Sequence, residues 1–374
     1  MSLMISSLVG ILKRDSLKKR SISYLHPYLE GRRNEIIKGI YPSQHLWGIS
    51  AIESQKEWNP NIIRTKNLFP PNFFEKILNR LIFRYKSNIR IELASLIASK
   101  NTKLIYSACG PLALSRFYPK TKVLSWVFRP PAYLPTSTFD PYHPVNLNAN
   151  SGFFCLTPNA EKYFSQFAPS KFIPWCVDLD MFDGKPPLHK PHKPFFLATG
   201  KTGRDYETLV NAAYQIQAEI RIIGPKNQKP FNIPENVTWL DTSSDPPDQA
   251  IDYPTLKEWY AQCSGVCIPL SGDADDTCGY TNMLEAMAMR KPVVMTRSGC
   301  LHIDPATRNF GMLVEPQDSK GWSDAMTRIL NDSDFASACG ENARKIVEDE
   351  FSIERFNRDV LSFINEVIEF DGRN

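Results

Sequence analysis

FFLATGKTGRDYETLVNAA, residues 195–213, is the stretch that decides the fold. FFLATG (195–200) reads as a short buried strand, and helical spacing runs from 206 to 218. Between them Gly200 and Gly203 leave the backbone bare, while Lys201 and Arg204 place two cations just ahead of the helix. A helix N-terminus favours anions through its unpaired N–H groups and its dipole. The junction therefore suits a diphosphate. Its plain alternative is an exposed turn carrying two surface cations.

Outward from this junction the alternation repeats. IRIIG (220–224), VTWLD (237–241), GVCIPL (265–270), PVVMT (292–296) and MLVEP (312–316) read as buried strands. Helices at 255–263, 281–289 and 318–331 separate most of them. Towards the N-terminus lies DGKPPLHKPHKP (183–194), whose four prolines in twelve residues mark a stiff, solvated linker. Its His189 and His192 lack further ligands for a metal. Before the linker, SISYL (21–25), NIIRT (61–65), KLIYSA (103–108), KVLSWVF (122–128) and FFCLT (153–157) alternate with helical stretches at 44–54, 72–86, 88–100 and 159–167. Strands alternating with helices give parallel, doubly wound sheets. Two of them about a linker make a two-lobed α/β protein with a central cleft. In such sheets ligands sit at the carboxyl ends of the strands.

Composition sets the bounds. The 374 residues exceed one usual domain, and 42% apolar with 22% charged residues is ordinary globular usage. A net charge of +4, from 44 cations and 40 anions, is too slight to announce a nucleic-acid partner. The eight cysteines are scattered without zinc-ligand spacing, which suits a reducing, cytoplasmic setting. Residues 1–12 (MSLMISSLVGIL) carry an apolar stripe followed by Lys13, Arg14, Lys18, Lys19 and Arg20. A secretory signal has the opposite order. This one either lies peripherally on an anionic membrane or packs on its own domain.

A second junction stands out in GVCIPLSGDADDTCGYTNMLEAMAM (265–289). Gly279 permits close backbone approach, and Tyr280 or Thr281 begins a helix. Glu285 lies about one turn in, flanked by Leu284, Ala286 and Met287. A carboxylate sunk in a core needs partners, because bare burial costs several kcal/mol. Ribose hydroxyls are one pair of donors; a backbone amide or a nearby Lys or Arg is the other reading. Asp273 and Asp275 form a DxD triplet, read as a solvated acidic loop with no metal bound.

NMLEAMAMRKPVV (282–294) resembles the signature of retaining glycosyltransferases of family 4, which have the GT-B fold of two Rossmann-like domains. FIPWCVDLDMF (172–182), FFLATGKTGRDYETLVNAA, GMLVEPQDSKGW (311–322) and GENARKIVEDEFSIERF (340–356) are similar to further family segments in the same order. The resemblance covers about 170–360 by motif and 21–170 by architecture. It implies that Glu285 is the second acid of the family's E-x7-E pattern, holding the donor ribose. It further implies that Lys201 and Arg204 serve the donor diphosphate and that Gly200 and Gly279 to Thr281 meet donor phosphate or sugar. The chain departs from the family at Thr277, where the first acid would stand. The family's cleft histidine has no clear match either; Arg129 is the nearest polar candidate, with His45 in YPSQHLWG (41–48) a second. These readings give an acceptor-side domain at 1–182, a linker at 183–194, a donor domain at 195–352 and a returning helix within 353–374. The implied reaction transfers a hexose with retention, from a nucleoside diphosphate sugar of UDP or GDP type, without a cofactor. Its acceptor is an unidentified hydroxyl on a lipid, small metabolite or glycan. A non-catalytic sugar-nucleotide-binding or scaffolding protein is the alternative.

Overall fold

The computed structural model describes residues 20–26, 29–65, 73–118, 120–189, 191–242, 251–271, 277–297 and 302–369. The amphipathic stretch expected at 1–12 lies outside them, as do Asp273, Asp275 and Asp276.

The first half builds a parallel sheet from β1 (Arg20–Leu25), β2 (Trp58–Ile62), β3 (Leu104–Ser107), β4 (Lys122–Val127), β5 (Gly152–Cys155) and β6 (Ser170–Phe172), in the order β2-β1-β3-β4-β5-β6. The interior strands β3 and β5 are buried along their whole length, as strands covered on both faces must be. Helices α1 (Leu29–Ile37), α2 (Ile49–Ser54), α3 (Phe73–Leu81), α4 (Ile89–Ser99), α5 (Pro144–Leu147) and α6 (Pro158–Phe164) connect them. Asn88 caps α4 by accepting from Arg90 N–H, and Thr157 caps α6 by accepting from Ala160 N–H.

Several boundaries differ from expectation. The strand expected at 61–65 begins at Trp58, whose ring enters the core; as an edge strand it tolerates Pro60. The helix expected at 44–54 splits into a 3-10 turn (Ser43–Leu46) and α2, because Trp47 and Gly48 both take positive φ, 53° and 77°. The helix expected at 72–86 stops at Leu81, ahead of Arg84 and Tyr85, which are also at positive φ.

The second half repeats the plan. β7 (Phe195–Thr199), β8 (Glu219–Gly224), β9 (Val237–Asp241), β10 (Gly265–Ile268), β11 (Val293–Thr296) and β12 (Gly311–Val314) form a parallel sheet in the order β12-β11-β10-β7-β8-β9. Helices α7 (Tyr206–Ala213), α8 (Tyr253–Gln262), α9 (Tyr280–Ala288) and α10 (Ser319–Asn331) accompany it. Next comes α11 (Ser333–Glu350), outside the helices read from periodicity, whose start is capped by Asp332 accepting from Phe335 N–H. Strand order reverses between β1 and β3 in one sheet and between β7 and β10 in the other. Such switch points are where doubly wound sheets bind ligands.

The halves are joined by buried contacts. Arg344 of α11 donates through Nη1 to the carbonyls of Phe182 (2.7 Å) and Ala288 (2.8 Å). The last helix, α12 (Ile353–Glu369), packs on the first sheet: Phe356 stacks on Trp126 with centroids 5.4 Å apart, and Phe363 meets Phe154 edge-on. Each such buried side chain contributes roughly 1.5–3 kcal/mol. A Cβ on Gly48 would stand 3.1 Å from Val360, so that residue lets α12 approach.

Candidate active site

The two β7 and β10 exits are tied together. Asp205 N–H donates to Pro269 O (3.1 Å) and Ser271 N–H to Gly203 O (3.0 Å), which sets the β7–α7 loop beside the chain leaving β10. Gly200 has φ 136°, and a Cβ there would fall 2.3–2.5 Å from the Arg204 guanidinium. Only a bare backbone lets that guanidinium fold over the loop. Arg204 donates from Nε to Thr199 O (3.2 Å), from Nη1 to Thr202 O (2.9 Å) and from Nη2 to Asn282 Oδ1 (2.8 Å). Asp205 caps α7, accepting from Thr208 N–H, and the Tyr206 hydroxyl donates to Gly200 O (2.7 Å).

Gly279 is the N-cap of α9 at φ 85°, and a Cβ on it would come 2.5 Å from Ile268. This glycine brings the start of α9 down onto β10, within reach of Arg204. From the first half, the His45 ring reaches across to Tyr253 Oη (3.1 Å). The His45 carbonyl accepts from His26 Nε2 (2.7 Å), just past β1. Burial lowers the His26 pKa to about 4, so that donor is the neutral imidazole.

One cleft of about 730 Å³ gathers these groups: His45, Phe128, Arg129 and Tyr142 on one wall, and Gly200, Lys201, Thr202, Arg204, Thr277, Cys278, Gly279, Thr281 and Asn282 on the other. Among the described residues its charged lining is entirely cationic. Cations placed beside a helix start favour an anion through their charge and the free N–H groups of the helix. Among the described residues no cluster of three His, Cys, Asp or Glu is arranged to hold a metal. A second cleft, about 720 Å³, is lined by Arg32, Tyr41, Asp252 and Trp259. It lacks the paired glycine-bearing junctions, so the first is the better candidate for an anionic ligand.

Eight sequence-derived residues thus share one cleft: Gly200, Lys201, Arg204, Thr277, Gly279, Thr281, His45 and Arg129. Two do not line it. Tyr280 is 2% exposed; its hydroxyl meets His302 Nε2 (2.9 Å) and its ring edges against Phe351. Glu285 is likewise 2% exposed, accepting from Gln44 Nε2 (3.2 Å) and Tyr260 Oη (3.0 Å). Burial pushes its carboxyl up to about 8, although both hydrogen bonds act to lower it. Sequence reasoning missed Asn282 and Tyr142. Asn282 stands within the quoted α9 stretch, but as a polar residue in a first helical turn it signals only a helix start.

Two parallel-sheet α/β domains meeting at their switch points across a cleft make this a GT-B protein. Solved structures agree in fold. Sucrose-phosphate synthase from Thermosynechococcus elongatus superposes with a TM-score of 0.64 at 17% identity, covering 94% of this chain and 100% of that one. Anabaena Alr3699/HepE in complex with UDP-glucose gives 0.58 at 13% identity, over 93% and 99%. Residues 194–332 match the family described as Glycosyl transferases group 1. A D-inositol 3-phosphate glycosyltransferase of Corynebacterium urealyticum is 43% identical over 60 residues, 16% of this chain and 14% of that protein. The chain thus spans about one seventh of the length of that curated relative.

Proposed function

We propose that the protein is a retaining glycosyltransferase that moves a hexose from a nucleoside diphosphate sugar to a hydroxyl acceptor. One observation carries this reading: Lys201, Arg204 and the glycine-led start of α9 converge on one cleft that faces His45 and Arg129 of the other domain. The group 1 match over 194–332 supports glycosyl transfer, and the UDP-glucose complex of a protein with the same fold supports a nucleotide sugar. Bond cleavage between the anomeric carbon and the diphosphate oxygen leaves negative charge on the diphosphate. Lys201, Arg204 and the α9 N–H groups stabilise that charge, which is the main electrostatic task. The acceptor oxygen bonds the anomeric carbon on the same face, and its proton passes to the departing phosphate oxygen. Glu285 is the acid assigned to the donor ribose; to take it, the carboxyl exchanges the Gln44 amide for ribose hydroxyls.

The test is a panel of UDP and GDP sugars, with and without a pool of lipid, small-metabolite and glycan acceptors. Acceptor-dependent release of nucleoside diphosphate is expected for one donor, with an axial or equatorial anomeric linkage matching that donor by NMR. Inversion would remove the retaining assignment. Donor binding without turnover would favour the sugar-nucleotide-binding alternative, which Thr277 in place of the family's first acid supports. No binding of any donor would end both.

A further inference from the structure

We infer that Asn282 is a positioning residue: it acts through Arg204, holding the guanidinium in the orientation that serves the donor diphosphate. The inference rests on the donor-site reading above. Arg204 is anchored from its own loop by two carbonyls, Thr199 O on Nε and Thr202 O on Nη1. Neither reaches Nη2, the third corner of the fork. That corner donates to Asn282 Oδ1 at 2.8 Å, across 78 residues of chain and from a different element.

Asn282 is itself held. Its Nδ2 donates to Thr199 Oγ1 at 2.5 Å, and Thr199 is 5% exposed at the end of β7. The amide flip is thereby fixed: its oxygen must face Arg204, since the alternative would set the amide NH₂ against the guanidinium, donor against donor. The Tyr260 hydroxyl also lies against Asn282 and Thr199 while donating to Glu285. Asn282 therefore sits between the phosphate-loop arginine and the buried carboxyl, and it is neutral. An aspartate there would pair with Arg204 and cancel the charge the diphosphate needs. An alanine would leave Nη2 without its partner and the fork held only from its own loop, through Thr199 O and Thr202 O. The asparagine orients the fork and leaves its charge intact.

Group positioning of this kind matters to turnover more than to binding, because the charge to be met grows towards the transition state. The full-length protein is assayed for kcat and donor KM as wild type, Asn282→Ala, Arg204→Ala and the double variant, with folding checked by circular dichroism. Asn282→Ala is expected to lower kcat roughly tenfold with donor KM changed less than about threefold. In the Arg204→Ala background the same substitution should change kcat less than about twofold, since the group it acts through is gone. Thr199→Val, which removes the hydroxyl that anchors Asn282, should give a smaller loss that also vanishes in that background; it serves if Asn282→Ala does not fold. Equal losses in both backgrounds would overturn the positioning role, as would unchanged kcat in Asn282→Ala while Arg204→Ala is impaired. A silent Arg204→Ala would instead sink the donor-site reading and carry this inference down with it.

Discussion

Replacing Glu285 by glutamine should stabilise the protein at neutral pH and flatten its pH dependence. The carboxyl titrates near 4.5 when exposed but near 8 in the fold, because burial penalises its charged form more than Gln44 and Tyr260 can repair. Below pH 4.5 both folded and unfolded chains hold the proton, and burial carries no ionisation penalty. As pH rises from 4.5 the unfolded chain releases the proton while the folded chain keeps it, so stability falls. The fall ends near pH 8, where the folded chain ionises too. At pH 7 the accumulated loss spans about 2.5 pH units, on the order of 3 kcal/mol at 1.36 kcal/mol per unit. The Glu285→Gln side chain has no proton to lose. Its carbonyl can keep accepting from Gln44, and its amide can donate to Tyr260 Oη once that hydroxyl turns its own proton away. Thermal unfolding at pH 5, 6, 7 and 8 checks this. The melting temperature of Glu285→Gln should rise relative to wild type by several degrees between pH 5 and 7, at roughly 2–4 °C per kcal/mol. Parallel melting curves across that range would show that Glu285 is ionised in the fold, and the reasoning from burial would fail.

Three further outcomes are expected. Arg204→Ala should lower kcat by roughly 10²–10³ while affecting donor KM less, measured by steady-state kinetics; a loss within a few-fold would place the diphosphate elsewhere. On the proposed reading, in which Lys201 and Arg204 meet the diphosphate, turnover in excess chelator should equal turnover in magnesium; loss restored by manganese would point to Asp273 and Asp275. Deleting residues 1–20 should reduce sedimentation with anionic vesicles, more so at low salt, and leave donor binding unchanged; equal sedimentation of both proteins would remove the membrane role.

What could be read from the chain was whatever is local. Two glycines and two cations between an apolar run and a helix gave the β7–α7 junction with its loop. Buried apolar runs gave the strands of both sheets, because strands covered on both faces have no polar side to hide them. Edges were less legible. β6 is only half-buried along Ser170–Phe172 and reads as loop, and β2 hides behind Pro60, which only an edge strand accepts. Within α9 the residue types were right but the facing was not. Thr281 and Asn282 reach the cleft, whereas Tyr280 turns into the seam with His302 and Phe351.

Glu285 shows where reading residues stops and folding begins. The local argument demanded partners, because a bare buried carboxylate is too costly to keep. It offered ribose, a backbone amide, or a basic side chain. Among protein groups the fold supplied neither a backbone amide nor a basic side chain. It brought Tyr260 from the preceding helix and Gln44 from 241 residues away, in a 3-10 turn of the other domain. Gln44 can do this because its own oxygen accepts from Asp178 N–H at 2.7 Å, while Asp178 takes the Ser43 N–H and hydroxyl. Hydrogen bonds thus run from Asp178, near the end of the first domain, through the Gln44 amide to Glu285. An amide can both accept and donate, and a Lys or Arg at that point could not. The choice of glutamine at 44 therefore follows from the junction of two domains, which no window of adjacent residues contains.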